Sequence, residues 1–460
     1  MMNPYMRYNP SMSDNKRSKI NKEARKQHMS VHWHDIVVSD DDIHAVDSEL
    51  KEQTSLVGRI GSLFLSVGTS AWRVRDAMNR TARELGISCN ANIGLLTLTL
   101  TCFKNGSHYS QTISLPNTGV NTDKLLDLKL FIDDIHDYVN NYSVEQIHRI
   151  LDNIEKKKGN FAPWQVALAA AFACCAFTFL LGGGPVEMIF AFIGAWVGCF
   201  VRTILIHNKI NILVNVAAGV AAACSAYVIA IHLAERIGVI TPEHHAGYIC
   251  AMLFIIPGFP LITGGLDLAK LDIRSGAERI IYAGLIITVA CMVGWVMASI
   301  YRFSPADFPP LEMSVPMRIV LRAITSFVGV YGFSVLFNSS PKMSFFAGLI
   351  GMVANVTRLE IMSATGIHVA VSAFIGATIA GLLASVVNNQ LGVPRISLTV
   401  PSIVIMVPGL FMYKAIFYIG HDDIATGGIW LTKALMTVIA LPVGLVFARA
   451  LTDKNFRHCS

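Results

Sequence analysis

Residues 254–279 read FIIPGFPLITGGLDLAKLDIRSGAER, and this stretch decides how the rest of the chain is read. It begins in apolar sequence and ends in mixed charge. Pro257, Gly258, Pro260, Gly264 and Gly265 interrupt what would otherwise be a membrane helix, with Thr263 among them and Asp267 just beyond. A proline removes a backbone donor and collides with the preceding turn. In hydrocarbon the freed carbonyls need partners, so such a break survives only against protein or water. A half-helix starting at Pro260 would aim its N–H groups and positive dipole end into the break, where an anion such as a carboxylate is favoured.

The surrounding chain fits a membrane setting. Of 460 residues, 53% are hydrophobic and 15% charged, against about 25% charged in an average soluble domain. The deficit lies beyond Phe161. There, apolar runs of about 20 residues, long enough to cross a bilayer as helices, alternate with short polar links. Ten spans are expected, near 162–182, 186–206, 211–233, 246–268, 278–300, 317–338, 342–358, 367–387, 397–418 and 429–449. Lys156 to Lys158, Arg202, Lys209, Lys270, Arg274, Arg279, Lys342, Arg395, Arg449, Lys454 and Arg457 fall on one side of these spans. Arg236, Arg302 and Arg358 fall on the other. The positive-inside rule then places both termini in the cytoplasm, and the N-terminus shows no signal-peptide core. This asymmetry accounts for the net charge of +6 without invoking nucleic acid. The nine cysteines form no C-x-x-C pair, and those in apolar spans read as small packing residues.

The polar N-terminal part divides in two. Residues 1–54 read as disordered or loosely ordered, and 55–160 as a small cytoplasmic α+β domain. Gly58 to Leu85 has helical spacing with a basic face, and Gly86 suits a C-cap. Leu95 to Phe103 and His108 to Leu115 alternate around Asn105-Gly106, a hairpin signal. Thr122 to Tyr138 and Ser143 to Lys157 read as further helices, Ser143 with Glu145 marking a cap region without strict capping-box spacing.

The membrane part reads as two halves, 161–303 and 317–460, around the Pro-rich link 304–316. Pro257-Gly258 lies in the fourth span of the first half and Pro408-Gly409 in the fourth span of the second, preceded by LFII and VIMV, at an offset of 408 − 257 = 151 residues. Five spans is an odd number, so the second copy must enter the membrane inverted. Inverted repeats with matching interrupted helices are a common secondary-transporter architecture, with sites near the breaks. Lys414 lies about one and a half turns beyond the second break.

Polar residues within the spans divide between transport and packing roles. Asp267 could carry a coupling proton or meet a substrate ammonium; equally, it could be an interfacial aspartate paired with Lys270 or Arg274. Asp272, Arg274, Glu278 and Arg279 read as an interfacial charge cluster. Asn355 and Arg358 are candidates for a gate or substrate contact. Arg358 and Glu360, two residues apart, do not share a helix face. Asn211 and Asn215 do, and would bond between helices or line a path. His32, His34 and Asp35 form a weak metal-like pattern with no distant partner cluster, so no metal site is assigned. The chain contains neither G-x-S-x-G nor G-x-x-x-x-G-K-[ST], so neither an enzyme nor an ATP-driven pump is expected.

Two segments, AWRVRDAMNRTARELGI (71–87) and PGFPLITGGLDLAKLDIRSGAERI (257–280), with the looser VPGLFMYKAIFYI (407–419), resemble the threonine/serine exporter family of bacterial membrane proteins. The resemblance covers roughly residues 55–450. It implies ten spans after a cytoplasmic domain and export of small hydroxy amino acids across the bacterial inner membrane, driven by the proton gradient. It assigns importance to Pro257, Gly258, Pro260, Asp267, Asp272, Gly276 and Arg279, and to Pro408 and Gly409. Arg73 and Arg75 match an Arg-rich pattern of the soluble helix. The expected partners are a small amino-acid substrate, the lipid bilayer and a further copy in a homo-oligomer, with no cofactor. Two rivals remain: a dicarboxylate such as succinate as cargo, which Lys414 or Arg358 at depth would favour, and a membrane-anchored enzyme or sensor acting through residues 55–160.

Overall fold

The computed structural model describes residues 31–454 and 456, apart from 39–41, 239–243, 245, 246, 306, 307, 309 and 310. Residues 1–30, expected to be loosely ordered, and Arg457 lie outside the described residues.

The N-terminal unit contains helices α1 (Leu50–Ser66) and α2 (Ala71–Glu84), strands β1 (Ser88–Ile93), β2 (Thr97–Lys104) and β3 (Ser107–Ser114), and helices α3 (Thr122–Asp133), α4 (Ile135–Asn141) and α5 (Val144–Lys156). Asn105 and Gly106 both take positive φ, 50° and 79°, as a tight hairpin between β2 and β3 requires. Three features differ from the sequence reading. The helix expected over Gly58–Leu85 starts earlier, at Leu50, and breaks at Gly68, whose φ of +82° ends α1. The run expected as one helix from Thr122 to Tyr138 divides at Asp134. Ser143 does form a capping box, with Gln146 rather than Glu145: its hydroxyl accepts the Gln146 N–H, and the Gln146 side chain accepts the Ser143 N–H.

The His32–His34–Asp35 region packs onto the core of this unit. The Trp33 ring stacks on His148 at 6.1 Å, and His34 pairs with Glu145 at 2.8 Å and Asp152 at 3.5 Å. Burial, reinforced by the Arg59 charge, pushes His148 down to about 3. His148 is therefore neutral in the fold, while the unfolded chain takes up a proton near pH 6.5. Stability from this source is full above about pH 6.5 and falls by about 1.4 kcal/mol per pH unit as the pH drops toward 3. The unfolding midpoint of the full chain should drop between about pH 7 and 4, and less steeply in His148→Gln. Equal slopes for the two proteins would refute this.

The membrane part contains α6 (Pro163–Leu180), α7 (Pro185–His207), α8 (Ile212–Arg236), α9 (Tyr248–Ala251, extended by a 3-10 turn to Ile255), α10 (Gly258–Ala269) and α11 (Ile273–Tyr301). Its second half contains α12 (Val315–Leu336), α13 (Pro341–Thr365), α14 (Val369–Leu391), α15 (Arg395–Val404), α16 (Gly409–Gly420) and α17 (Ile424–Thr452). Among the described residues, eight helices are long and apolar enough to cross a membrane, and ten spans result when each bent pair counts as one. The bent pairs are α9–α10, at 54°, and α15–α16, at 48°. The chain is thus a multi-pass helical membrane protein.

The second half repeats the packing of the first. Helix α7 packs on α9 as α13 packs on α15, and α8 packs on α11 as α14 packs on α17. The halves meet through α6 and α12 and exchange contacts, α10 with α17 and α16 with α11. Their directions are opposed. Helix α11 begins against the N-terminal unit, where Glu278 accepts the Leu95 N–H at 2.5 Å. Its counterpart α17 ends there, with Arg449 4.1 Å over the Trp72 ring.

Candidate functional site

The two breaks are built alike. Pro257 caps α10 at φ −80°, ψ 61°, and Pro408 caps α16 at −82°, 56°. After each proline the glycine N–H turns back two residues, Gly258 to the Ile256 carbonyl at 2.8 Å and Gly409 to the Val407 carbonyl at 2.9 Å. The likeness continues at the same offset. Leu271 and Asp422 both take left-handed φ, 62° and 63°, and α11 and α17 both run 29 residues. Thr263 therefore corresponds to Lys414 and Arg279 to Trp430, and each pair is in contact. Arg279 Nη1 donates to Thr263 Oγ1 at 3.4 Å, and Lys414 Nζ lies 4.6 Å over the Trp430 ring. Lys414 is buried.

The breaks are closed against each other. A Cβ built on Gly409 would fall 1.8 Å from Ile256 Cδ1, and one on Gly258 would fall 3.0 Å from Val404 Cγ2. Beside them lies a small apolar cavity lined by Met252, Ile256, Ile287, Cys291, Gly409 and Met412. A hydroxyl pair, Tyr248 with Tyr413 at 2.6 Å, joins the two bent spans.

Asp267 sits elsewhere, at the junction with the N-terminal unit. It is fully buried at the end of α10. Its carboxylate accepts the Ala71 N–H at the start of α2 (2.9 Å), the Ser275 hydroxyl (3.0 Å) and Arg279 Nε (3.2 Å). Neither alternative partner is used. Lys270 donates to the Phe456 carbonyl at 2.7 Å, and Arg274 pairs with Glu278 at 3.0 Å. Arg279 also donates to the carbonyls of Gly68 (3.2 Å) and Thr69 (2.7 Å) in the turn before α2. Arg75 forks onto the Asp272 carboxylate, and Arg274 reaches Thr97 at 3.3 Å. Asp272, Arg274, Glu278 and Arg279, read as a cluster at the membrane interface, all contact the N-terminal unit. A second seam joins Thr122 and Asn121 to Ser339 and Asn338 in the loop after α12.

In α13, Asn355 is buried and donates to Ser326 Oγ at 2.9 Å. Glu360 pairs with Arg322 at 2.6 Å and leaves Arg358 to other surroundings. The Arg358 Nε is buried and has no hydrogen-bond partner among the described residues. Arg202 matches it and escaped the sequence reading, where it counted only as a loop charge. Each arginine stands 17 residues after the proline that opens its helix (202 − 185 = 17; 358 − 341 = 17). Each packs its Cβ where a glycine of the next helix lacks one, Gly219 or Gly376, and each buried Nε is unpartnered among the described residues. The equal spacing from proline was the available signal. Asn215 is also buried with both amide atoms unpartnered among these residues, while Asn211 caps α8.

Two inverted halves, each with one span interrupted at Pro-Gly, define a transporter-type helical membrane protein. Residues 55–301 match the family model described as "Putative threonine/serine exporter", and residues 322–451 match "Threonine/Serine exporter, ThrE". The chain belongs to the threonine/serine exporter family. It is 25% identical over 257 residues to the "Probable succinate transporter subunit YjjP" of Escherichia coli, covering 53% of this chain and 93% of that protein. A protein of the same name from Klebsiella aerogenes is 25% identical over 266 residues, covering 56% of this chain and 96% of that protein. The "Pheromone-regulated membrane protein 10" of Debaryomyces hansenii is 25% identical over 282 residues, 55% of this chain and 26% of that one. No solved structure matches the chain.

Proposed function

We propose that the chain is a secondary exporter of small carboxylate-bearing solutes, threonine and serine first, driven by the proton gradient across a bacterial cytoplasmic membrane with both termini inside. The carrying observation is the pair of inverted breaks, Pro257-Gly258 and Pro408-Gly409, packed together in a chain of this family. Helix N-termini at both breaks favour a carboxylate, and rocking of one half on the other would expose them to each face in turn. Arg202 and Arg358, related by the repeat, are suited to meet the cargo at opposite ends. Asp267 is assigned the coupling proton. Asp272 and Arg279 are assigned to holding the soluble domain on the transport core rather than to touching cargo.

Dicarboxylate cargo is the second reading, favoured by the buried Lys414, which adds a cation beside the second helix terminus. Cells loaded with a threonine-containing dipeptide, with and without the gene, should differ in threonine and serine efflux. Unchanged efflux of both, beside succinate transport in proteoliposomes, would transfer the assignment to dicarboxylates. Lys414→Met should then lower succinate flux about tenfold or more, the effect of losing one charge-assisted contact. Asp267→Asn exporting at the wild-type rate under a proton gradient would remove Asp267 from the coupling role.

A further inference from the structure

Where the N-terminal unit meets the second half, Ser70, Trp72 and Arg73 line a pocket with Arg395 and Thr399 of α15 and Arg449 of α17. Leu266 of α10 also borders it. Three guanidinium groups gather there. Arg449 is paired with Asp453 at 3.1 Å and lies over Trp72, and Arg395 Nη1 donates to Thr452 Oγ1 at 3.2 Å. Arg73 lies 5.2 Å over the Trp72 ring, and its Nε is buried without a hydrogen-bond partner among the described residues. Ser70 is fully buried, and its hydroxyl likewise has no partner among them. The acidic groups acting on Arg73 are Asp76 and Asp453, two carboxylates for three cations. Burial, then the charges of Arg449 and Arg395, pushes Arg73 down to about 9. Among the described residues the pocket is thus short of negative charge and of acceptors. Guanidinium forks match carboxylate oxygens in pairs.

We propose that this pocket is a carboxylate-binding site, the first contact, on the face that carries the N-terminal unit, for the dicarboxylate cargo of the second reading, and that it prefers a dicarboxylate to a zwitterionic amino acid. The inference rests on the transport reading. A dicarboxylate brings two negative charges to the three arginines. A zwitterion brings an ammonium group that they repel. The lining comes from α2, α10, α15 and α17, so an occupant would tie the soluble unit to both bent spans at once.

The test uses the purified full chain in detergent, with succinate, threonine and inorganic phosphate as probes, read by calorimetry and by the unfolding midpoint. Succinate should bind and raise the midpoint, and threonine should do so more weakly. Arg73→Gln should weaken succinate binding about tenfold or more, as loss of a charge-assisted hydrogen bond would. Arg73→Lys, which keeps the charge, should recover part of it. Lys129→Gln, on the outer surface of α3, should leave it unchanged. No response to succinate, a response that survives Arg73→Gln, or threonine binding as tightly as succinate would overturn the proposal. So would a response to phosphate alone, or to phosphatidylglycerol in nanodiscs alone. Binding needs no transport: succinate bound without any efflux would remove the exporter reading and leave the site. Efflux undiminished in an Arg73→Gln protein that no longer binds would overturn its role as first contact.

Discussion

Arg279→Met is expected to loosen the N-terminal unit from the membrane part and to lower the stability of the whole chain by about 3–5 kcal/mol, the usual effect of stripping one partner from a buried ion pair. Arg279 is almost fully buried and answers the Asp267 carboxylate and the carbonyls of Gly68 and Thr69, besides the hydroxyls of Thr263 and Ser275. Methionine fills much of the same volume but leaves the buried Asp267 carboxyl with only the Ala71 N–H and the Ser275 hydroxyl. Asp267→Asn should cost less, because Arg279 keeps both carbonyls. The double variant should fall short of the sum, since both changes break one contact. Unfolding midpoints and limited proteolysis of the purified chain read the outcome. An Arg279→Met protein as protease-resistant as wild type would show that the junction is held elsewhere, for instance by Thr122 and Ser339.

The breaks were legible in the sequence because Pro-Gly inside an apolar run has few tolerable settings, and because a second Pro-Gly stands in the matching span of the other half. The Asn-Gly hairpin was legible for a similar local reason: both residues must take positive φ. The partners of Asp267 were not legible. Its backbone donor, Ala71, lies 196 residues away across a domain boundary, and no local pattern encodes that meeting. Strand β1 (SCNANI) escaped because it carries mostly polar and small residues with only Ile93 buried, so nothing in its composition separates it from a loop. The division of α1 from α2 had a visible cause, Gly68 before Ser70. The helical spacing on both sides concealed it, because each helix has its own apolar face against the same core. Arg202 was misjudged for the opposite reason. Its place near the end of an apolar run fits a charge at a helix end, and its burial against Gly219, mirrored by Arg358 against Gly376, depends on contacts between helices that no local pattern encodes.

Gly409→Val should slow transport strongly while leaving the fold assembled, and the reason lies in the close approach of the two bent spans. Ile256 Cδ1 already occupies the space of a Cβ at position 409, and Leu253 Cδ2 would stand 3.0 Å from that same carbon. In Gly409→Ala the Ile256 tip can swing aside, so a modest loss is expected. Valine adds a second branch toward Leu253, and overpacking of this kind costs about 1–3 kcal/mol. The penalty applies to the closed arrangement of the breaks. On the proposed cycle it would hold them apart and shift the balance between arrangements by roughly 5- to 150-fold. Ile256→Ala removes the colliding carbon and should restore flux when combined with Gly409→Val, though alone it should change flux little. Efflux rates normalised to the amount of chain in the membrane decide the matter. If the double variant is as slow as Gly409→Val, contact with Ile256 is not the cause. If Gly409→Val exports at the wild-type rate, the breaks do not need this approach to work.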